Sequence, residues 1–527
     1  MTKRGHTAFL AGLWIGLSGA TPPPLAHIES GIVQGVREGG NEVYKGVPFA
    51  AAPLNQLRWQ EPHPVMPWTG VRKTEVFAPA CMQKGVSMPG ETPPEVSEDC
   101  LYLNIWTPVN RLCHRLPVVV WIHGGAYSNG STSLPLYWGD RLARRGIVVV
   151  TIAYRLGPLG FLAHPELTQE SPKHSSGNYG LMDQIAALEW IQHNIANFGG
   201  DPRRVTIAGQ SAGAMSVSLL MASPRARGLF QQAIGQSGGV FEPLPLAPSY
   251  LLINAERDGV AYAASVGADS LAALRALPAA NLLEGTAHSV THPVVDQDVL
   301  PRSPYDAWVS GHYSDVPLLV GFNTEEARSL VDVASVRAET FEADLTQAFG
   351  PLPSQITAAY PHETDDEARQ ARLDLERDLR FGWDMWAWAR LHAMAHRHPV
   401  YFYSFAHRPA FPTGSVYENW GASHFAELWF VFDHLGQASW SWSPADHEIA
   451  RIMSSYWVNF AKTGDPNGPG LPSWPTYLGT NDRILELGDP AIVKGVPNLD
   501  QLQVFDEVYS VIRGAPFGVS REAGVHR

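Results

Sequence analysis

The chain is short of several things, and each shortage narrows its function. Three cysteines in 527 residues, Cys81, Cys100 and Cys113, exclude a dense disulfide framework. Basic residues are outnumbered, 38 Lys+Arg against 51 Asp+Glu, and the formal net charge of −13 has the wrong sign for a surface that binds nucleic-acid phosphates. No run of like charge or low-complexity tract marks a disordered tail, and there is no internal repeat. Beyond the N-terminal segment, no apolar stretch is long enough to cross a bilayer, so membrane insertion is not expected. Neither a G-x-G-x-x-G after a strand nor a Walker-type loop occurs, so no cofactor is implied. What remains, 45% hydrophobic and 17% charged, is the make-up of a globular protein with a large core.

The N-terminus reads as an address. MTKRGH carries Lys3 and Arg4, and TAFLAGLWIGLSGA is apolar but too short to span a bilayer comfortably. Ser18-Gly19-Ala20 offers small residues for cleavage. Residues 1–20 are therefore expected to be a signal peptide cut near Ala20, a short anchor being the alternative. Residues 21–527 are then one exported domain, periplasmic or secreted. No cysteine lies near the cut, which excludes lipidation there. In an oxidising compartment two of the three cysteines are expected to pair. Cys81–Cys100 would close MQKGVSMPGETPPEVSED, a loop with little reason to order itself. Such a bridge stabilises by about 3 kcal/mol on the chain-entropy account. On spacing alone, three free thiols remain the alternative.

The middle of the chain alternates strand and helix signals. LPVVVWIHGG, GIVVVTIAYR, RVTIAG, FQQAIGQSG and VPLLVGFN read as buried strands; LMDQIAALEWIQHNIANFG and AGAMSVSLLMAS read as helices. The pattern predicts an α/β fold, a mostly parallel sheet covered on both faces. Working loops gather at the carboxyl ends of such strands, where WIHGG, IAGQS and VGFN all sit.

Two segments fit G-x-S-x-G: GQSAG at 209–213 and GQSGG at 235–239. A nucleophilic serine of this kind needs a strand before it and a helix after it. Ser211 has both. Ser237 is followed by GGVFEPLPLAPS, whose prolines block a helix, so it is expected to be a buried structural or supporting hydroxyl. His123-Gly124-Gly125-Ala126 matches the HGGG-type loop that donates backbone N–H groups to an oxyanion, Ala212 supplying another.

These segments resemble the type-B carboxylesterases, the α/β-hydrolase family that includes the cholinesterases. FGGDPRRVTIAGQSAG (198–213) matches the family's nucleophile signature and EDCLYLN (98–104) its second one. VYKGVPFAAAP, NYGLMDQIAALEWI, YRLGPLGFL and NFAKTGDPN fall where the family has equivalents, so the likeness runs from about Gly31 to about Tyr477. The resemblance implies a central sheet flanked by helices, with large insertions near the active site. It implies a serine–acid–histidine order: Ser211, then Glu326 in GFNTEE, then His424 in GASHFAE. Glu325 and Asp296 are the alternatives for the acid. It implies the Cys81–Cys100 bridge, leaving Cys113 free, and a role for Ser237 in hydrogen-bonding Glu326 or its neighbours. The activity implied is hydrolysis of small to medium uncharged carboxylic esters through an acyl-enzyme, without metal or cofactor.

Departures from the family are informative. Gln210 stands where the residue before the nucleophile is commonly Glu, which removes a negative charge beside the serine. The Cys81–Cys100 segment contains no aromatic ring to hold a quaternary ammonium, so a choline ester is not the expected substrate. His392, His396 and His398 lack an HExxH pattern and are read as a solvated helix end rather than a metal site. The tryptophans of WDMWAWAR and SWSWS are read as core or lid packing. Amide, thioester or lipid-ester hydrolysis on the same triad and a non-catalytic binding protein are the rival functions.

Overall fold

The structure of the protein is a computed structural model that describes residues 22–519 except 87, 89, 90, 110–114, 287–289 and 396. Cys113, His396 and the expected signal peptide lie outside the described residues.

The apolar runs form the middle of an eleven-stranded sheet. Its strands in chain order are β1 (Val36–Glu38), β2 (Asn41–Pro48), β3 (Tyr102–Pro108), β4 (Leu116–Ile122), β5 (Val148–Ile152), β6 (Gly200–Gln210), β7 (Gln232–Gln236), β8 (Leu318–Asn323), β9 (Val400–Phe405), β10 (Arg483–Leu487) and β11 (Ile492–Gly495). Across the sheet they lie β11-β10-β9-β8-β7-β6-β4-β5-β3-β2-β1. From β5 to β10 neighbours pair in parallel. The flanking β1, β2, β3 and β11 pair antiparallel. The expected mostly parallel sheet is what forms.

Continuous Val/Ile runs suit these strands because both faces are covered. Alternate residues of β4 show it: Val118, Val120 and Ile122 join one core cluster, Val119 and Trp121 the other. Helix α1 (Tyr179–Asn194), α2 (Ala212–Ala222), α3 (Trp383–Ala393), α4 (Pro444–Thr463) and α5 (Leu499–Arg513) supply the covering layers. A capping box between Ser443 and Asp446 starts α4, and left-handed Gly464 stops it. WDMWAWAR is α3, with Trp383, Trp386 and Trp388 all buried; it is core. Trp440 of SWSWS packs with Phe411, Tyr417 and Trp429, and Trp442 with Trp440 and Phe430. Cys81 and Cys100 are bonded, Cα–Cα 4.9 Å. Among the described residues no helix is long and apolar enough to cross a membrane.

Candidate active site

The two G-x-S-x-G segments meet side by side. Register pairs Gln210 of β6 with Gln236 of β7, so Ser211 and Ser237 leave the sheet at one level. Ser211 N–H donates to the Gln236 carbonyl at 2.9 Å, and Ser237 N–H to the Gly321 carbonyl of β8 at 2.8 Å. Both serines sit at positive φ, 57° and 52°. The chain beyond each serine sets them apart. Ser211 stands immediately before α2 and is partly exposed. Ser237 leads into irregular chain and short 3₁₀ turns, and is 0% exposed.

The glycines of the first segment are demanded by close approach. A Cβ on Gly209 would lie 2.4 Å from the Gly213 backbone, and one on Gly213 would lie 2.0 Å from the Ile122 carbonyl oxygen. Strand and helix can cross above β4 only without those side chains. In the second segment, Gly238 packs on the backbone of Ser211, its absent Cβ 2.3 Å from the Ser211 carbonyl oxygen. The second segment buttresses the first.

His424 and Glu326 lie 98 residues apart in the chain yet bond through Nδ1 and Oε2 at 2.6 Å, both buried. Glu326 is held in turn: its Oε1 accepts the Asn323 N–H at 2.7 Å, and its carbonyl accepts the His424 N–H at 3.2 Å. Glu325 is turned away, paired with Arg328 at 2.7 Å and Arg408 at 3.3 Å, and accepting the Ala422 N–H at 3.0 Å. Asp296 ties down its own loop, accepting from Ser175 Oγ at 2.6 Å and the Leu300 N–H at 2.8 Å.

A second buried carboxyl stands behind the pair. Glu427 accepts from Gln236 Nε2 at 3.1 Å and Asn323 Nδ2 at 2.7 Å. Burial, with the charge of Glu326 next, pushes its carboxyl up from 4.5 to about 7. Ser237 Oγ, by contrast, finds no hydrogen-bond partner. The expected bond from Ser237 to Glu326 or its neighbours is not made, and Ser237 contributes its backbone N–H instead, to the Gly321 carbonyl.

The loop after β4 carries the donor candidates. His123 is buried, its ring stacked on Tyr154 at 4.5 Å, and burial lowers its pKa to about 4, so it stays neutral. Tyr154 donates to the His123 carbonyl at 2.8 Å, and Gln83 clamps Gly130 through two 2.8 Å bonds. Among the described residues the N–H groups of Gly124, Gly125 and Ala126 have no protein acceptor. Gly125, Ala126 and Ala212 line the cavity. Gly124 backs onto the nucleophile turn, where a Cβ would lie 2.9 Å from Ser211 Cβ.

Ser211 and His424 open into one cavity of about 960 Å³. Its wall comes partly from the stretch between Glu326 and His424, with Leu330, Phe349, Ile356 and Phe381, and partly from Leu246, Tyr250 and Tyr509. Phe381 also stacks on the His424 ring at 4.5 Å. Glu242 and Asp384 add two carboxyls, both pushed upward chiefly by burial. Sequence patterns gave no role to Phe381, Glu427, Asn323 or this pair. Only Glu427 carried a signal, the Glu of GASHFAE. His392, from the histidine group, uses both ring nitrogens internally, accepting from Trp308 Nε1 at 3.2 Å and bonding the Val316 carbonyl at 2.9 Å.

Comparison with known proteins agrees with this geometry. A profile of the Carboxylesterase family matches residues 22–505. Fumonisin B1 esterase of Sphingopyxis macrogoltabida is 37% identical over 505 residues, 90% of each chain. Para-nitrobenzyl esterase of Bacillus subtilis strain 168 is 34% identical over 496 residues, 90% of this chain and 96% of that protein. A solved structure of PNB esterase superposes with a TM-score of 0.79 at 32% identity, covering 92% of this chain and 100% of the other. The chain therefore belongs to the carboxylesterase family: it is a carboxylic ester hydrolase with the α/β-hydrolase fold.

Proposed function

We propose that Ser211 is the nucleophile, His424 its general base and Glu326 the acid that orients the base. The observation that carries this reading is the buried 2.6 Å His424–Glu326 bond beside a strained, partly exposed serine in one cavity. Glu326 accepting from Nδ1–H leaves the proton off Nε2, the nitrogen that takes the serine proton. Ser211 attacks the ester carbonyl, and the oxyanion is held by N–H groups of Gly124, Gly125 and Ala212, with Ala126 next in the same loop. Each such donor is worth about 3 kcal/mol of barrier. The alcohol leaves with the proton from His424, and water releases the acid by the same route.

The cavity wall is mainly apolar, which supports small to medium uncharged carboxylic esters as the substrate class. The chain's own address belongs to the same proposal: residues 1–20 are a removable signal peptide, and 21–527 one exported domain. The disulfide and the single profile match over 22–505 support it.

The test compares wild type, Ser211→Ala and Ser237→Ala on a short-chain p-nitrophenyl ester. Ser211→Ala is expected to lose turnover while melting like wild type. Ser237→Ala is expected to stay within a few-fold of wild type, because its hydroxyl bonds to nothing. A dead Ser237→Ala beside an active Ser211→Ala would reverse the assignment.

A further inference from the structure

Gln210, the last residue of β6, is 0% exposed and touches the base directly. Its Nε2 lies 3.2 Å from Nε2 and 3.4 Å from Nδ1 of His424. Near-equal distances mean that the amide meets the ring as a whole rather than one nitrogen. Phe381 stacks on the same ring at 4.5 Å and 16° between planes. The imidazole is thus held by Gln210 and Phe381 as well as by Glu326, with the Phe425 ring at 4.3 Å.

The other end of the amide reaches the donor loop. Gln210 Oε1 is buried without a hydrogen-bond partner, and a Cβ on Gly124 would lie 3.2 Å from it. Burying an unpartnered amide oxygen is costly, so its retention here calls for a reason other than stability. Charge offers one. Among the described residues Glu326 bonds Nδ1 and Glu427 stands behind it, while Arg380, Asp384 and Glu242 line the same cavity as the ring. A carboxylate at 210 would be a further anion in contact with the ring and would favour the imidazolium, which cannot act as a base.

Resting on the reading of His424 as base, we propose that Gln210 is a positioning residue that wedges between the base and the Gly124 loop and keeps that contact free of charge.

The test is the pH profile of kcat and kcat/KM for wild type, Gln210→Glu and Gln210→Leu between about pH 5 and 9, with active sites counted by a fluorophosphonate titrant. Gln210→Glu should move the acidic limb upward by about one pH unit, as expected for an anion placed at contact distance. Gln210→Leu should lower kcat about tenfold with KM unchanged, since it fills the space but loses the polar contact. If Gln210→Leu fails to fold, Gln210→Met serves in its place. An acidic limb that does not move in Gln210→Glu, or a Leu or Met variant with wild-type kcat, would overturn the proposal. His424→Asn runs alongside. If that variant keeps turnover, the base assignment itself is wrong; if it is dead and Gln210→Glu titrates like wild type, only the role of Gln210 fails.

Discussion

Replacing Glu326 by Gln tests the site at its tightest contact, and the structure dictates how the new amide must sit. Glu326 Oε1 accepts the Asn323 N–H at 2.7 Å, so an oxygen has to remain there; an NH₂ group would face a donor. The amide nitrogen is therefore forced to the Oε2 position, 2.6 Å from His424 Nδ1. There it donates to Nδ1, and the imidazole must carry its proton on Nε2, the nitrogen that should receive the serine proton. The variant keeps the shape and inverts the tautomer. The expected loss is about 10⁴ in kcat, a barrier rise of about 5 kcal/mol, with KM changed only a few-fold. Initial rates on p-nitrophenyl acetate at neutral pH, normalised to active sites, measure it. Glu325→Gln is the control: its carboxylate is committed to Arg328, Arg408 and the Ala422 N–H, so activity should stay within about threefold, a small effect typical of a partly exposed ion pair. A Glu326→Gln enzyme within tenfold of wild type, or a Glu325→Gln enzyme that loses more, would refute the reasoning.

Glu427 should leave a signature in stability. A carboxyl raised from 4.5 to about 7 binds its proton more tightly folded than unfolded, so its contribution falls as pH rises through that window and levels off above it. At about 1.4 kcal/mol per unit the fall is about 3 kcal/mol. Denaturant titrations of wild type and Glu427→Gln at pH 5 and pH 8 should show the variant gaining by that amount relative to wild type; parallel curves would count against the shift. Gly213→Ala places a methyl 2.0 Å from the Ile122 carbonyl oxygen, and neither backbone can give way. That variant should lose several kcal/mol or fail to fold, an overpacking cost at or beyond the usual range, read from soluble yield and melting temperature. Reducing Cys81–Cys100, which closes a separation of 19 residues, should cost about 3 kcal/mol and a few degrees of melting temperature, with activity intact at 25 °C.

Much of this site is legible in the residues because the constraints behind it are local. The G-x-S-x-G glycines answer to a strand and helix crossing at van der Waals contact, a demand that fixes residue type at set offsets. The Val/Ile runs answer to a sheet covered on both faces, and their spacing placed HGG, GQS and GFN at adjoining strand ends. The prolines after Ser237 denied it a helix, and the structure gives it none. Local pattern alone thus decided the fold class.

Side-chain convergence is a different matter. That Glu326 and not Glu325 turns to His424 depends on two arginines and the Ala422 amide claiming the neighbour. Ser237 Oγ is buried without the partner expected of it, while Asn323 and Gln236 bond Glu427. Gln210 meets His424 across 214 residues, and the cavity gathers Tyr250, Phe349 and Tyr509 from separate segments. Such contacts depend on how distant elements pack, and a hydrogen bond is made or lost within a few tenths of an ångström. The sequence by itself determined the backbone frame and the elbow, since each rests on periodicity or on a glycine at a fixed offset. Only the tertiary structure decided which carboxylate bonds His424, which hydroxyl is left without a partner and what lines the pocket, because those depend on how distant elements pack.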